Sequence, residues 1–559
     1  MKRHNFIILV LCLLLTAAST SLQAQSADAD IDAIIASMSL EHKVAQMFMV
    51  TLHGSVLTEI GAQDLRTWQP GGVVLFETNT GNPTAMTQLT NSFQSTITVA
   101  GGVPMLISVD QEGGVVTRLT DGFTMFPAPI LIDAAGDDMS YKVGQAVATE
   151  LSAVGVNMNL APIADLETYK DNPIIFRRSW GSDPNIAGDA IAAFIRGSES
   201  LNVLATAKHF PGHGESRQDS HATLPTIDLP LERLQTVEFV PFEKAISANV
   251  AAIMVGHLYM PALEPQVGLP ASLSHNVITG VLRDQLGYKG LVITDALDMN
   301  AVDLNFNFYD AAVMAINAGV DLLAMGPSIG QQVFEAAMQR VVDDVRAGKI
   351  PESRIDESLR RILETKKKYG ILNWQPLDPA TATHRVNLPA HAELFNQLYS
   401  AGVTVAYDRN NLVPIPADRK VAMIFLATRY QIQQECSKYS TNIHWTGVSD
   451  NPSQEEIGWA TDNAKTADTV VVWTQDADKN LEQQALVNAL PPEKTVAVAL
   501  WSIYDWQTYQ GVAAYLMTYT PARPAVPAAC AVLFGAAPAT GRLPVTLGPD
   551  LVAGSHDTN

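Results

Sequence analysis

Residues 203–225 read VLATAKHFPGHGESRQDSHATLP. The opening VLATA is a continuous apolar run, the mark of a strand buried on both faces rather than one face. Its character then changes at once. Lys208 and His209 end the run, Pro211 and Gly212 turn the chain, and a polar loop follows with His213, Glu215, Asp219 and His221. The same kind of apolar run recurs as FMVTL (48–52), GVVLF (72–76), MLISV (105–109), VNMNLA (156–161), AAIMV (251–255), LVIT (291–294) and DLLAM (321–325). Segments long enough for a helix separate most of them, and ESLRRILETKKKYG (357–370) follows the last. Eight strand–helix units predict a (β/α)8 barrel over residues 30–372. An open doubly wound sheet is the second possibility.

A barrel of this kind works at the C-terminal ends of its strands. Polar residues stand at that end of five different runs. Asp110 follows the third in DQEGGVVTRL, which also holds Arg118. Asp165 follows the fourth, with Arg178 further on in RRSWGSDP. Lys208 and His209 follow the fifth, His257 the sixth, and Asp295 the seventh in ITDALDM. One such charge is an ordinary loop residue; five that converge make a site.

The loop after Lys208 admits three kinds of chemistry. His209 and His213 have the i, i+4 spacing of a zinc-binding helix. Pro211, Gly212 and Gly214 break any helix there, so that reading fails and no metal is expected. Asp219, Ser220 and His221 are the residue types of a hydrolase triad, but a sequential run does not place histidine between the other two. What remains is a histidine beside a carboxylate. A histidine side chain can give or take a proton near neutrality, which suits His221 to acid/base work, and Asp219 can orient its ring. Asp295, at a strand end among basic residues, stays ionised and is suited to nucleophilic attack. An acid/base and a carboxylate nucleophile are the parts of retaining glycoside hydrolysis, with histidine in place of the usual second carboxylic acid. Glu215 is the next candidate for acid/base.

Composition and the chain ends bound the rest. The 559 residues are 47% hydrophobic and 17% charged, which suits a packed protein of two domains. A formal charge of −21 repels phosphate backbones and argues against nucleic-acid partners. Lys2 and Arg3, the run FIILVLCLLLTAA and SLQAQS have the form of a secretory signal cleaved after Ala24, so export to the periplasm or the medium is expected. That run is short for a membrane span, and no later stretch reads as one. Residues 373–398, rich in proline and polar residues, read as a linker. The runs VAMIFLA (421–427), TVVVWT (469–474), TVAVALW (495–501) and AYLMTY (514–519) then predict a smaller α/β layer domain over 399–548. The tail GSHDTN is expected to fray. Beyond the signal, Cys436 and Cys530 either pair or stay as free thiols; sequence leaves both open.

KHFPGHG with DSH, ITDALDM, DQEGG, NLAPIADL, RRSWGSDP and SRIDESLRRILETKKKYGIL together resemble the family-3 glycoside hydrolases, in particular their β-N-acetylglucosaminidase branch. GRLPVTL, from residue 541, is similar to the end of that family's C-terminal α/β sandwich domain. The resemblance implies that Asp295 is the nucleophile, His221 the acid/base on a mobile loop and Asp219 its partner. It implies that Asp110, Arg118, Arg178, Lys208 and His209 hold sugar hydroxyls. Arg178 and Lys208 have a second reading as structural ion pairs, and His213 as a residue that shapes the loop. It further implies an exo-acting, cofactor-free enzyme that removes N-acetylglucosamine from muropeptides or chitooligosaccharides. Thr-Asp-Ala around Asp295, and DSH in the barrel, separate the chain from the β-glucosidase branch. A phosphorolytic variant, in which phosphate replaces water, stays open, as does a non-catalytic carbohydrate binder. The family pattern has an arginine where this chain has Val115, a change expected to concern packing. It has a glycine where this chain has Phe176, which predicts a reshaped loop around Arg178.

Overall fold

The computed structural model describes residues 30–509 and 511–557; the expected signal segment lies outside the described residues. The first domain carries eight parallel strands. They are β1 (Phe48–Val50), β2 (Gly72–Leu75), β3 (Leu106–Val109), β4 (Met158–Asn159), β5 (Leu204–Phe210), β6 (Ala252–Val255), β7 (Leu291–Thr294) and β8 (Leu323–Ala324). Their order is β8-β1-β2-β3-β4-β5-β6-β7. A parallel bridge between Ile293 and Leu322, and the Thr294 N–H donating to the Leu322 carbonyl at 3.0 Å, join the two ends. The sheet is therefore a closed barrel and not an open doubly wound sheet. Every residue of β5, β6 and β7 is buried, as expected of strands covered on both faces.

The helices around the barrel follow from simple sequence devices. Asp183 caps helix Pro184–Glu199 by accepting the N–H groups of Asn185 and Ile186, and Pro184 opens the helix where no N–H is needed. Helix Glu352–Lys368 buries Ile355, Leu359, Ile362 and Leu363, an i, i+4, i+7, i+8 stripe.

The second domain is a six-stranded sheet. Its strands are β9 (Thr404–Asp408), β10 (Val421–Leu426), β11 (Ile443–Val448), β12 (Thr469–Thr474), β13 (Thr495–Ala499) and β14 (Ala514–Met517). The order is β9-β14-β13-β12-β10-β11, with β9 antiparallel to its neighbour and the rest parallel. The four central strands are the four apolar runs of the sequence. The edge strands β9 and β11 carry no such signal, and in β11 exposed and buried residues mix. Helices Pro389–Gly402, Gln431–Cys436 and Ala525–Leu533 pack as one group, and Gln454–Lys465 packs on Leu481–Asn488 as another.

Cys436 and Cys530 form a disulfide with their Cα atoms 5.0 Å apart, which settles the open question in favour of pairing. The tail departs from expectation. The Asp557 N–H donates to the Val405 carbonyl at 2.9 Å and the Gly554 N–H to the Leu543 carbonyl at 2.7 Å, so the chain is docked through residue 557. Backbone pairing that side-chain composition does not announce holds it. Among the described residues, no helix is long and apolar enough to cross a membrane.

Candidate active site

A cavity of about 470 Å³ opens at the C-terminal ends of the barrel strands. Asp110, Arg118, Arg178, Lys208, His209, His221 and Asp295 all line it. Asp219 stands behind His221. All eight residues singled out in the sequence therefore meet in one place.

The end of β5 explains two of them. Ala207 pairs with Ile253 and Phe210 with Val255, so β5 spends one more residue than β6 over the same distance. Successive side chains of a regular strand point to opposite faces. A bulge re-aims them, and here both Lys208 and His209 reach the cavity. The Lys208 Nζ lies 2.5 Å from Asp110 Oδ1 and 2.7 Å from Glu112 Oε1. The Arg178 guanidinium grips Glu112 with Nε and Nη2 at 2.9 Å each. Arg178 and Lys208 are thus ion-paired, and they also face the cavity. Burial alone would push the Glu112 carboxyl up, but Arg178 and Lys208 outweigh it and hold it at about 2. Burial pulls the Lys208 ammonium down, yet Asp110 and Glu112 overcome this and leave it above its ordinary value.

His209 is held by Asp165, whose Oδ2 sits 2.7 Å from Nδ1. Asp165 Oδ1 also accepts the His213 N–H at 2.7 Å, so one buried carboxylate ties the strand end to the loop. His213 Nε2 meets Ser220 Oγ at 3.1 Å, and burial lowers its ring to about 4. It is therefore neutral near pH 7 and shapes the loop. A Cβ at Gly214 would lie 2.1 Å from the Leu166 carbonyl, so only glycine permits this approach of the loop to the chain after β4.

Asp295 follows β7 directly. The Ala296 N–H donates to its Oδ1 at 2.8 Å. Burial would raise this carboxyl, but His209, His257, the Ala296 N–H and Lys208 together bring it below its ordinary value. His257 is fixed by Ser272 Oγ at 2.7 Å and the Ala296 carbonyl at 2.9 Å. His221 lines the same cavity; its Nδ1 sits 2.8 Å from Asp219 Oδ1, and the same oxygen accepts the His221 N–H at 2.8 Å. The His221 side chain is 66% exposed, far more than any other residue of the constellation on the barrel strands.

Three acids join the site without having stood out in the sequence. Glu77, one residue past β2's run, pairs with Arg118 at the rim. The strand-end rule finds it once that run is read to its last residue. Glu112 lies inside DQEGG, and its role as anchor depends on the fold. Asp298, the second acid of ITDALDM, lines the cavity and accepts the Ser328 N–H at 2.8 Å. A Cβ at Gly326 would fall 1.4 Å from Asp298 Oδ1, so the eighth strand's exit makes room for that carboxylate.

Two expectations change. Val115 is 64% exposed, so its substitution does not concern packing. The hairpin that carries it turns its side chain outward. Glu215 does not line the cavity; it lies 3.9 Å from Arg233. Among the described residues, no three His, Cys, Asp or Glu side chains are grouped to hold a metal ion.

Comparison with known proteins agrees with this geometry. The model of the glycosyl hydrolase family 3 N-terminal domain matches residues 39–365. A protein named beta-hexosaminidase A from Pseudoalteromonas piscicida is 29% identical over 538 residues, covering 85% of this chain and 89% of its own. A beta-hexosaminidase of Pseudomonas aeruginosa (strain LESB58) is 31% identical over 296 residues, which are 52% of this chain and 86% of that one. The solved structure of a glycoside hydrolase family 3 beta-N-acetylglucosaminidase from Paenibacillus sp. str. FPU-7 superposes with a TM-score of 0.78 at 30% identity, covering 91% of this chain and 99% of that one. With a matched domain that spans more than half its length and a barrel to carry it, this chain is a glycoside hydrolase and belongs to glycosyl hydrolase family 3.

Proposed function

We propose that the protein is an exo-acting, retaining β-N-acetylglucosaminidase, and that it is exported to act on cell-wall fragments. One observation carries the chemistry: a single cavity is lined both by an Asp295 carboxylate, held ionised by its neighbours, and by an exposed His221 whose Nδ1 is engaged by Asp219. The relatives named above support an N-acetylglucosamine-containing substrate. The N-terminal sequence supports export.

In this reading the terminal sugar enters the cavity, and Asp110, Arg118, Arg178, Lys208 and His209 hold its hydroxyls. Asp295 attacks the anomeric carbon while the bond to the leaving oxygen breaks. His221 Nε2 gives that oxygen its proton, and Asp219 stabilises the imidazolium. The product is a glycosyl ester of Asp295. His221, now neutral, takes a proton from water, and the water oxygen displaces the carboxylate from the same face that the aglycone left. Two inversions leave the β configuration.

The test is a side-by-side assay on aryl β-N-acetylglucosaminide, aryl β-glucoside and purified muropeptides, with and without phosphate. Higher kcat/KM on the N-acetylglucosaminide, with free sugar as product, is expected. Faster cleavage of the glucoside, or a sugar 1-phosphate product, sinks the proposal. Release of N-acetylglucosamine from muropeptides tests the cell-wall substrate.

A further inference from the structure

The second domain meets the barrel at the loop that carries Arg178. Ile174 and Arg178 of this loop line the cavity. On its barrel side the loop is pinned by Asn172. Its Nδ2 donates to the carbonyls of His213 at 3.0 Å and Gly214 at 2.8 Å, and its Oδ1 accepts the N–H groups of Ile174 and Ile175 at 2.9 Å each. On the other side stands the second domain. The Phe176 ring stacks on Tyr504 with centroids 6.2 Å apart and planes 23° from parallel. The Arg177 guanidinium lies 3.4 Å from the Trp501 ring centroid and 4.7 Å from that of Phe176. Arg177 Nη2 is 3.4 Å from Asp476 Oδ1, and the Tyr504 hydroxyl donates to Glu167 Oε1 at 3.0 Å.

Phe176 holds a φ of +26°. A side chain is strained in that region and glycine is not. The ring's contacts with Tyr504 and Arg177 compensate for the strain, so the second domain selects this backbone. The Arg178 N–H, two residues further on, closes the turn by donating to the Ile175 carbonyl at 2.7 Å. Glu112 fixes the tip of Arg178; the braced turn fixes its root.

We propose that Trp501 and Tyr504 are positioning residues for sugar binding: by gripping Arg177 and Phe176 they set where Arg178 presents its guanidinium to the terminal sugar. Neither lines the cavity. The inference rests on the reading of the cavity as the terminal-sugar site. Displacement of a binding group by about 1 Å is enough to cost a large factor in efficiency.

The test uses the full chain with Phe176→Gly, Trp501→Leu or Tyr504→Leu. Each variant is assayed on an aryl β-N-acetylglucosaminide, and hydrogen exchange is followed over residues 174–181. KM should rise about ten-fold while kcat changes by less than about two-fold, the signature of lost binding common to ground and transition states. Exchange in 174–181 should accelerate while the barrel strands keep their protection. Phe176→Tyr, which restores the ring, should return KM to the wild-type value. Wild-type KM and local exchange in Phe176→Gly, which relieves the strained backbone, overturn the proposal. So does a joint fall of kcat and melting temperature at constant KM, the pattern of a structural role. If the wild-type protein cleaves no N-acetylglucosaminide, the substrate reading fails, and exchange over 174–181 still decides whether the brace exists.

Discussion

Arg178 and Glu112 face each other fork to fork, joined by two hydrogen bonds of 2.9 Å. Lys208 adds a third contact to the same carboxylate at 2.7 Å. Removal of one partner from a buried pair leaves the others uncompensated, a cost of about 3–5 kcal/mol. Glu112→Gln should therefore lower stability by that order and raise KM, because both cations lose the anchor that aims them. The sign with pH follows from the lowered carboxyl. Its contribution is complete above the unfolded value near 4.5 and is lost as pH falls toward about 2. Acid unfolding curves of wild type and variant should converge over that window; parallel curves down to pH 2 would remove Glu112 from the account.

Asp295→Ala should keep the fold and lower kcat by at least about 10⁴-fold. Near-normal turnover would exclude Asp295 as nucleophile. NMR of the first-formed product should show the β anomer, and an α product would exclude retention.

His221→Ala should hurt substrates in proportion to their need for a proton. General acid catalysis contributes on the order of 10²–10⁴-fold. The full loss is expected with natural disaccharides and a much smaller one with dinitrophenyl glycosides, whose leaving groups depart unaided. Azide should rescue the second step. Equal slowing on both substrates would move the role elsewhere. Glu215, the second choice on sequence grounds, is disfavoured by its place outside the cavity beside Arg233.

Glu167 gives a stability prediction of the opposite sign to Glu112. Burial pushes its carboxyl up to about 8. A carboxyl raised in the fold stabilises fully below its unfolded value near 4.5, and that contribution is lost as pH rises through about 8. Glu167→Gln stays neutral throughout and still offers the Tyr504 hydroxyl an oxygen. The stability of the variant relative to wild type should rise between pH 4.5 and pH 8 by on the order of 2–4 kcal/mol. A difference that stays flat across this range would mean that the carboxyl ionises normally at the domain interface.

The barrel is legible in the sequence because each buried strand is an unbroken apolar run and each of five runs ends in a charge. The same feature makes Asp110, Lys208, His209 and Asp295 legible one by one. What binds them together is not. Glu112 and Asp165 are invisible as anchors because their partners lie far away in the chain, at Arg178 and Lys208 for one and at His209 and His213 for the other. Edge strand β11 escapes because exposed and buried residues mix along it, and β9, though mostly buried, because polar Thr404 and Asp408 bound its short apolar stretch. Phe176 stands out as a departure from the family pattern. Its stacking on Tyr504 does not, since no local pattern announces which surface of a second domain will arrive there.

The Cys436–Cys530 bridge spans 94 residues and encloses strands β11, β12, β13 and β14. A protease that nicks any single peptide bond between these cysteines therefore releases nothing. Both fragments stay covalently joined and can re-dock on the same sheet. Two cuts, both within the ring, are required before any segment between the cysteines departs. A cleaved band on a reducing gel would thus coexist with an intact mass on a non-reducing one, and with an Arg178 loop that still has its second domain beside it.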